Sequence, residues 1–219
     1  MITQDYIAFF KSLEKNNNKE WFHKHKKAYE NDVKKPFLEL LEILIPEIEK
    51  LEPQISPNPK DALFRINRDI RFSNDKTPYH VLLKAGFSPN GKKSKLPGFY
   101  LGISADKIHV GGGLFNLKGT DLKNVRTLIT KNTDEFIQLV NSEFFISTFQ
   151  ELKGEQAKRL DKNFQPILSK TPYIANKQFY AMREFPLIGY LNSDKMFATI
   201  INSFKAITPL NQFLKRAFI

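Results

Sequence analysis

The spacing of apolar residues changes twice along this chain, and that change restricts the fold more than any other feature. Phe37, Leu40, Leu41, Leu44, Ile48 and Leu51 recur at three- and four-residue intervals, which puts them on one face of a helix. From residue 62 the interval falls to two. Phe64, Ile66, Ile70 and Phe72 alternate with Arg65, Asn67, Asp69 and Arg71, and Tyr79, Val81, Leu83, Ala85 and Phe87 alternate again, the pattern of half-buried strands. GFYLGIS (98–104) and KIHVGGG (107–113) complete an antiparallel meander of about four strands. Helical spacing returns after Gly119: Thr120 or Asp121 starts a helix with Leu122, Val125 and Leu128 inward, and Thr133 starts another with Phe136 and Val140. KQFYAMREFPL (177–187) is a candidate further strand, Ser193 is placed to cap a helix carrying Met196 to Phe204, and Thr208-Pro209 is placed to open a last one. Helices, then a meander, then helices indicate an α+β fold, with a central antiparallel meander sheet flanked by N-terminal and C-terminal helices. The expected organisation is one domain over 1–219, helical in 1–52, sheet-rich in 62–115 and mostly helical in 119–219.

The first helix is expected to start at Thr3. Asn17, three residues before Glu20, forms a capping pair for a second helix holding Trp21, His25 and Tyr29 at fourfold spacing. Pro36 breaks or restarts the chain, and PQISPNPK (53–60) reads as a loop. A hydrophobic fraction of 41% with twenty phenylalanines supplies a large core and excludes intrinsic disorder. The chain has no cysteine, which excludes disulfides, thiol catalysis and cysteine-ligated zinc. No basic leader with a cleavage site and no membrane-length apolar run is visible, so a cytoplasmic protein is expected. Four scattered histidines point to no transition-metal site, and no cofactor fingerprint is found: Gly111–Gly113 lacks the spacing of a nucleotide-binding loop and reads as a strand-end turn rather than an anion nest.

The seven arginines are not spread evenly: Arg65, Arg68 and Arg71 fall within seven residues of FRINRDIRFSNDKTPYH (64–80). In a strand, Arg65, Asn67, Asp69 and Arg71 would project from one face at roughly 7 Å intervals. Arg68 breaks the alternation by falling on the apolar side, so it must find an anion, a sheet edge or a bulge. Guanidinium forks match phosphate and carboxylate. The turn adds Asp75, Lys76 and Thr77, and the return strand brings Tyr79 and His80. The competing account is an internal one, in which Arg65 or Arg71 pairs with Asp69 or Asp75 to hold the hairpin.

RDIRFSNDKTPY resembles the RDxRFSxDKxPY signature of a group of conserved hypothetical proteins, the domain of unknown function 2461 family. NNNKEWF, GFYLGIS, VGGGLF, LKNVRTLI and PLNQFLKRAF resemble further family elements, so the likeness covers most of the chain. One departure is LDKNF (160–164), where the family often has a PKGF-like element. The resemblance implies no particular activity.

The leading reading is a binder of an anionic small molecule bearing phosphate or carboxylate, with Arg65, Arg68, Arg71 and Lys76 as ligand-binding residues and Asp69 orienting the arginines. An enzyme acting on a phosphorylated or carboxylated substrate is the alternative, with Asp69, Asp75, Tyr79 and His80 as its candidate catalytic groups. A formal charge of +11 also suits nucleic acid, but the lysines are spread without a long basic run, so nucleic acid is not the favoured partner. No membrane partner is expected, and the sequence does not fix the oligomeric state.

Overall fold

The computed structural model describes residues 2–191 and 194–219. The chain opens with α1 (Gln4–Lys15) and α2 (Lys19–Lys24). Asn18, not Asn17, caps α2, its side chain accepting from the Trp21 N–H at 2.9 Å. A six-residue π-helical stretch, Tyr29–Lys34, leads into α3 (Lys35–Leu51). The widened turn accommodates Pro36, which has no N–H to give to the turn before it, so the proline neither breaks nor restarts the helix. Phe37, Leu41, Leu44 and Ile48 on α3 are fully buried, as their spacing requires.

The sheet has the order β1-β2-β3-β4, with every neighbour antiparallel: β1 Leu82–Phe87, β2 Gly98–Ser104, β3 Lys107–Leu114 and β4 Phe179–Pro186. The first expected strand, 64–72, is absent, and the fourth place is taken by β4. Only isolated bridges, Leu63↔Ala85 and Asn67↔Tyr79, tie that segment to its return. Three residues separate those bridges on one side and five on the other, so the two runs bulge apart and no ladder propagates. Phe72, expected on the apolar side, is 96% exposed, with Arg71 over its ring at 5.9 Å.

After β3 come α4 (Gly119–Lys131), α5 (Thr133–Val140) and α6 (Glu143–Phe149). The last helix, α7 (Asp194–Lys215), is continuous through Pro209, where the sequence indicated a new start. Thr208 Oγ1 donates to the Phe204 carbonyl at 2.7 Å within that turn. Burial of Ile207, Leu210, Phe213 and Leu214 beyond it offsets the proline's missing donor. The expected Ser193 cap lies outside the described residues.

Pleating sorts the strands into two faces. Leu83, Ala85, Phe87, Phe99, Leu101, Ile103, Ile108 and Val110 are buried, and α7 lies along β3 on this side. Phe204 of α7 meets Phe99 at 4.9 Å and Phe87 at 6.1 Å between ring centres. Tyr6 of α1 donates to the Ile103 carbonyl at 2.8 Å. One continuous hydrophobic cluster joins the N-terminal helices, the sheet and α7. On the other face Lys84, Tyr100, His109, Tyr180 and Met182 are half-buried and Glu184 is exposed.

Candidate functional site

The arginine segment folds on itself. Arg68 is half-buried, and its Nη1 donates to the Asp75 carboxylate, to Thr77 Oγ1 and, at 3.1 Å, to the Thr77 carbonyl. Asp75 also accepts the Thr77 N–H at 2.9 Å. That backbone bond, followed by Arg68, brings the Asp75 carboxyl down to about 2. Arg71 forks onto Asp69, with Nε at 3.0 Å and Nη2 at 2.7 Å, and the pair is exposed. It lowers the Asp69 carboxyl to about 2. Lys76 Nζ donates to the Ile70 carbonyl at 3.1 Å. Arg68, Arg71 and Lys76 thus have partners inside residues 69–77. Arg65 is exposed and, among the described residues, has no hydrogen-bond or salt-bridge partner. Carboxylates held near 2 are weak bases at neutral pH, well below the range in which general bases work.

A helix-side residue fixes where this segment sits. Asn17, just before α2, donates its amide to the Tyr79 carbonyl at 2.9 Å and accepts the Tyr79 N–H at 3.1 Å. The amide group takes the place that a neighbouring strand would occupy. Phe22 stacks on the Tyr79 ring at 4.0 Å. Tyr79 is 5% exposed, and burial raises its hydroxyl's pKa.

Tyr79 leads directly to His80, and there the cations gather. His80 Nε2 lies 3.3 Å from Lys84 Nζ. Burial, then Lys84, Arg68 and Arg65, push the His80 imidazole down to about 4, so it is neutral at pH 7. Burial and then Arg68 lower the Lys84 amine. Among the described residues no carboxylate pairs with Lys84. Four basic side chains (Arg65, Arg68, His80 and Lys84) therefore share one region, and Asp75 is engaged by Arg68.

Lys84 also lines a cleft of about 660 Å³ on the face of the sheet opposite α7. The register explains the hollow. One row across the sheet reads Gly86, Tyr100, Gly111, Met182; the next reads Gly98, Gly113, Tyr180; and the row through Lys84 reads Lys84, Gly102, His109, Glu184. Each row contains at least one glycine, which brings no side chain of its own to this face. At Gly113 the choice is forced, because φ is +116° and a Cβ would sit 2.3 Å from the Phe179 carbonyl. The three glycines 111–113 lie inside β3, hydrogen-bonded between β2 and β4, so they form neither a strand-end turn nor an anion nest. Phe64, Tyr100 and Phe115 form apolar walls, and Lys92, Lys93 and Lys95 come from the β1–β2 loop. Lys92 is anchored, donating to the Leu63 carbonyl at 2.5 Å with its amine 5.6 Å from the Phe64 ring centre. Among the described residues no three His, Asp or Glu side chains converge as a metal site requires.

Residues 5–213 match the family model described as conserved hypothetical protein (DUF2461). The chain belongs to this family. A comparison with curated proteins finds no match. No described helix is long and apolar enough to cross a membrane.

Lys84, Phe64, Gly86 and Gly98 were not among the site candidates singled out from sequence, and Gly111–Gly113 was read there as a strand-end turn. The signal for Lys84 was present, since it is the one charged residue in the strand LLKAGF. Glycines at 98 and 102 and at 111 and 113 share one face of their strands, and that parity marks a hollow.

Proposed function

We propose that this protein binds a small molecule bearing phosphate or carboxylate on the open face of its sheet. Lys84 supplies the principal charge, and Arg65, which acts on His80, adds to the field. Arg68, Arg71 and Lys76 shape the neighbouring segment, with Arg68 adding to the field. The observation that carries this reading is Lys84: a half-buried amine in a cleft, beside other cations and, among the described residues, without a carboxylate partner. Such an arrangement costs stability in the absence of an anion and repays it when one binds. His80, held neutral at pH 7, leaves a ring nitrogen that can donate to the ligand once an anion raises its proton affinity.

Thermal unfolding with phosphate, sulfate, citrate and nucleotides tests the proposal. A ligand at a hundred times its Kd adds about 2.7 kcal/mol. For a chain of this length that is a rise in Tm of roughly 5–10 °C. Lys84→Met removes the rise and Arg71→Ala retains it. No rise with any anion, or a rise that survives Lys84→Met, refutes the proposal.

A further inference from the structure

We propose that the ligand carries its anionic group on a flat aromatic ring, in the size class of a mononucleotide, and that the ring lies against Tyr100 between Phe64 and Phe115. This rests on the anion-binding reading above and adds the chemistry of the uncharged part.

Three observations converge. First, the walls are rings. Phe64 is bound to Lys84 through the backbone, its N–H donating to the Lys84 carbonyl at 2.8 Å. Its ring lies over Gly86, with Cε2 only 3.0 Å from where a Cβ would stand. Tyr100 is the cross-strand partner of Gly86, and its hydroxyl reaches over Gly102, the residue opposite Lys84. Phe115 is 38% exposed, lines the cleft, and has its ring centre 6.3 Å from that of Tyr100; Tyr180 backs it at 4.4 Å. The Lys84 side chain therefore starts beside two of the three rings.

Second, Gly86, Gly98 and Gly113 line the cleft without side chains of their own, and the Phe64 ring packs over Gly86, so the Phe64, Tyr100 and Phe115 rings form the walls. Third, the charge bordering the cleft is mostly positive. Lys84, Lys92, Lys93 and Lys95 line it, Lys95 paired with Asp121 at 3.4 Å, and among the described residues no acidic side chain is part of the lining. A volume of about 660 Å³ lies within the roughly 300–1,000 Å³ range of small-molecule sites. Stacking on aromatic side chains with lysines around is the chemistry by which proteins hold nucleobases joined to phosphate.

The test is isothermal titration of the full chain with adenosine 5′-monophosphate, uridine 5′-monophosphate, phenyl phosphate, ribose 5-phosphate and inorganic phosphate. The inference expects at least one ring-bearing phosphate to bind roughly tenfold tighter than ribose 5-phosphate, the gain expected of one stacked ring. Tyr100→Leu removes that gain, so that ring-bearing phosphates bind no tighter than ribose 5-phosphate. Phe115→Leu, at a more exposed position, gives the same loss in smaller degree and serves if Tyr100→Leu does not fold. Equal affinity for ribose 5-phosphate and every ring-bearing phosphate overturns the ring and leaves the anion site standing. No binding of any of these phosphates, nor of citrate in a parallel titration, overturns the anion site as well.

Discussion

Replacing Lys84 with methionine should make this protein more stable and less able to bind. The two effects have separate origins. In the ligand-free protein the amine is half-buried, is repelled by Arg68, and has His80 as its polar partner at 3.3 Å. Methionine keeps the apolar stem and removes the desolvated charge. It also removes the hydrogen bond to His80, worth about 1 kcal/mol, but that nitrogen keeps access to water. Burying an unpaired charge costs several kcal/mol when complete, and solvent access at a half-buried site reduces that to about 1–2 kcal/mol. The balance is a gain of about 0.5–1 kcal/mol, or a Tm rise of roughly 1–4 °C for a chain of this size. Binding moves the other way. A hydrogen bond to a charged group contributes about 1.5–3 kcal/mol, so the variant should bind an anion roughly ten- to a hundredfold more weakly. Calorimetric unfolding and isothermal titration of the same preparation measure both quantities. A variant that is less stable and binds as well as the parent would show Lys84 to be a structural residue and would refute the reasoning.

Other outcomes follow from the same geometry. Asn17→Ala loses both bonds to the Tyr79 backbone and should lower stability by about 2 kcal/mol, read by denaturant midpoint at unchanged m-value. Asp69→Asn breaks an exposed pair and should leave the unfolding midpoint unmoved, because surface ion pairs contribute little. His80 has a folded pKa of about 4, below the usual 6.5, so the unfolded chain takes up its proton first as pH falls. The His80 contribution to stability is complete above pH 6.5 and is lost between 6.5 and 4. The full shift corresponds to roughly 3 kcal/mol at 1.36 per unit, and solvent screening of a half-buried ring reduces it to about 1 kcal/mol. His80→Gln should flatten stability over that interval in a pH series of thermal melts. Gly113→Ala should lower stability by more than about 2 kcal/mol, since it meets both a positive φ and the Phe179 carbonyl.

The helical stripes were legible because burial on one face leaves a periodic trace, and Leu41, Leu44 and Ile48 are where the period puts them. Alternation was a less certain guide. Residues 64–72 alternate as well as β1 does, yet their hydrogen-bonding register is interrupted, and a bulge leaves no trace in the order of apolar residues. Two prolines misled. A π-helical turn accommodates Pro36, and burial of the turns around Pro209 outweighs its missing donor. The arginine cluster was visible in sequence, but its pairing was not, because which carboxylate each guanidinium reaches depends on the loop's path. Lys84 stands for the opposite difficulty: one lysine among twenty-seven differs from the others only in what surrounds it.

The central claim is that the cations around Lys84 await an external anion. The most direct measurement is the His80 pKa, followed by NMR through its imidazole carbons, with and without saturating sulfate, whose charge is constant over the titration. A bound anion offsets the field of Lys84, Arg68 and Arg65, so the account predicts a rise from about 4 toward the ordinary 6.5. A His80 pKa that stays near 4 at every sulfate concentration, with phosphate giving the same result, would contradict it.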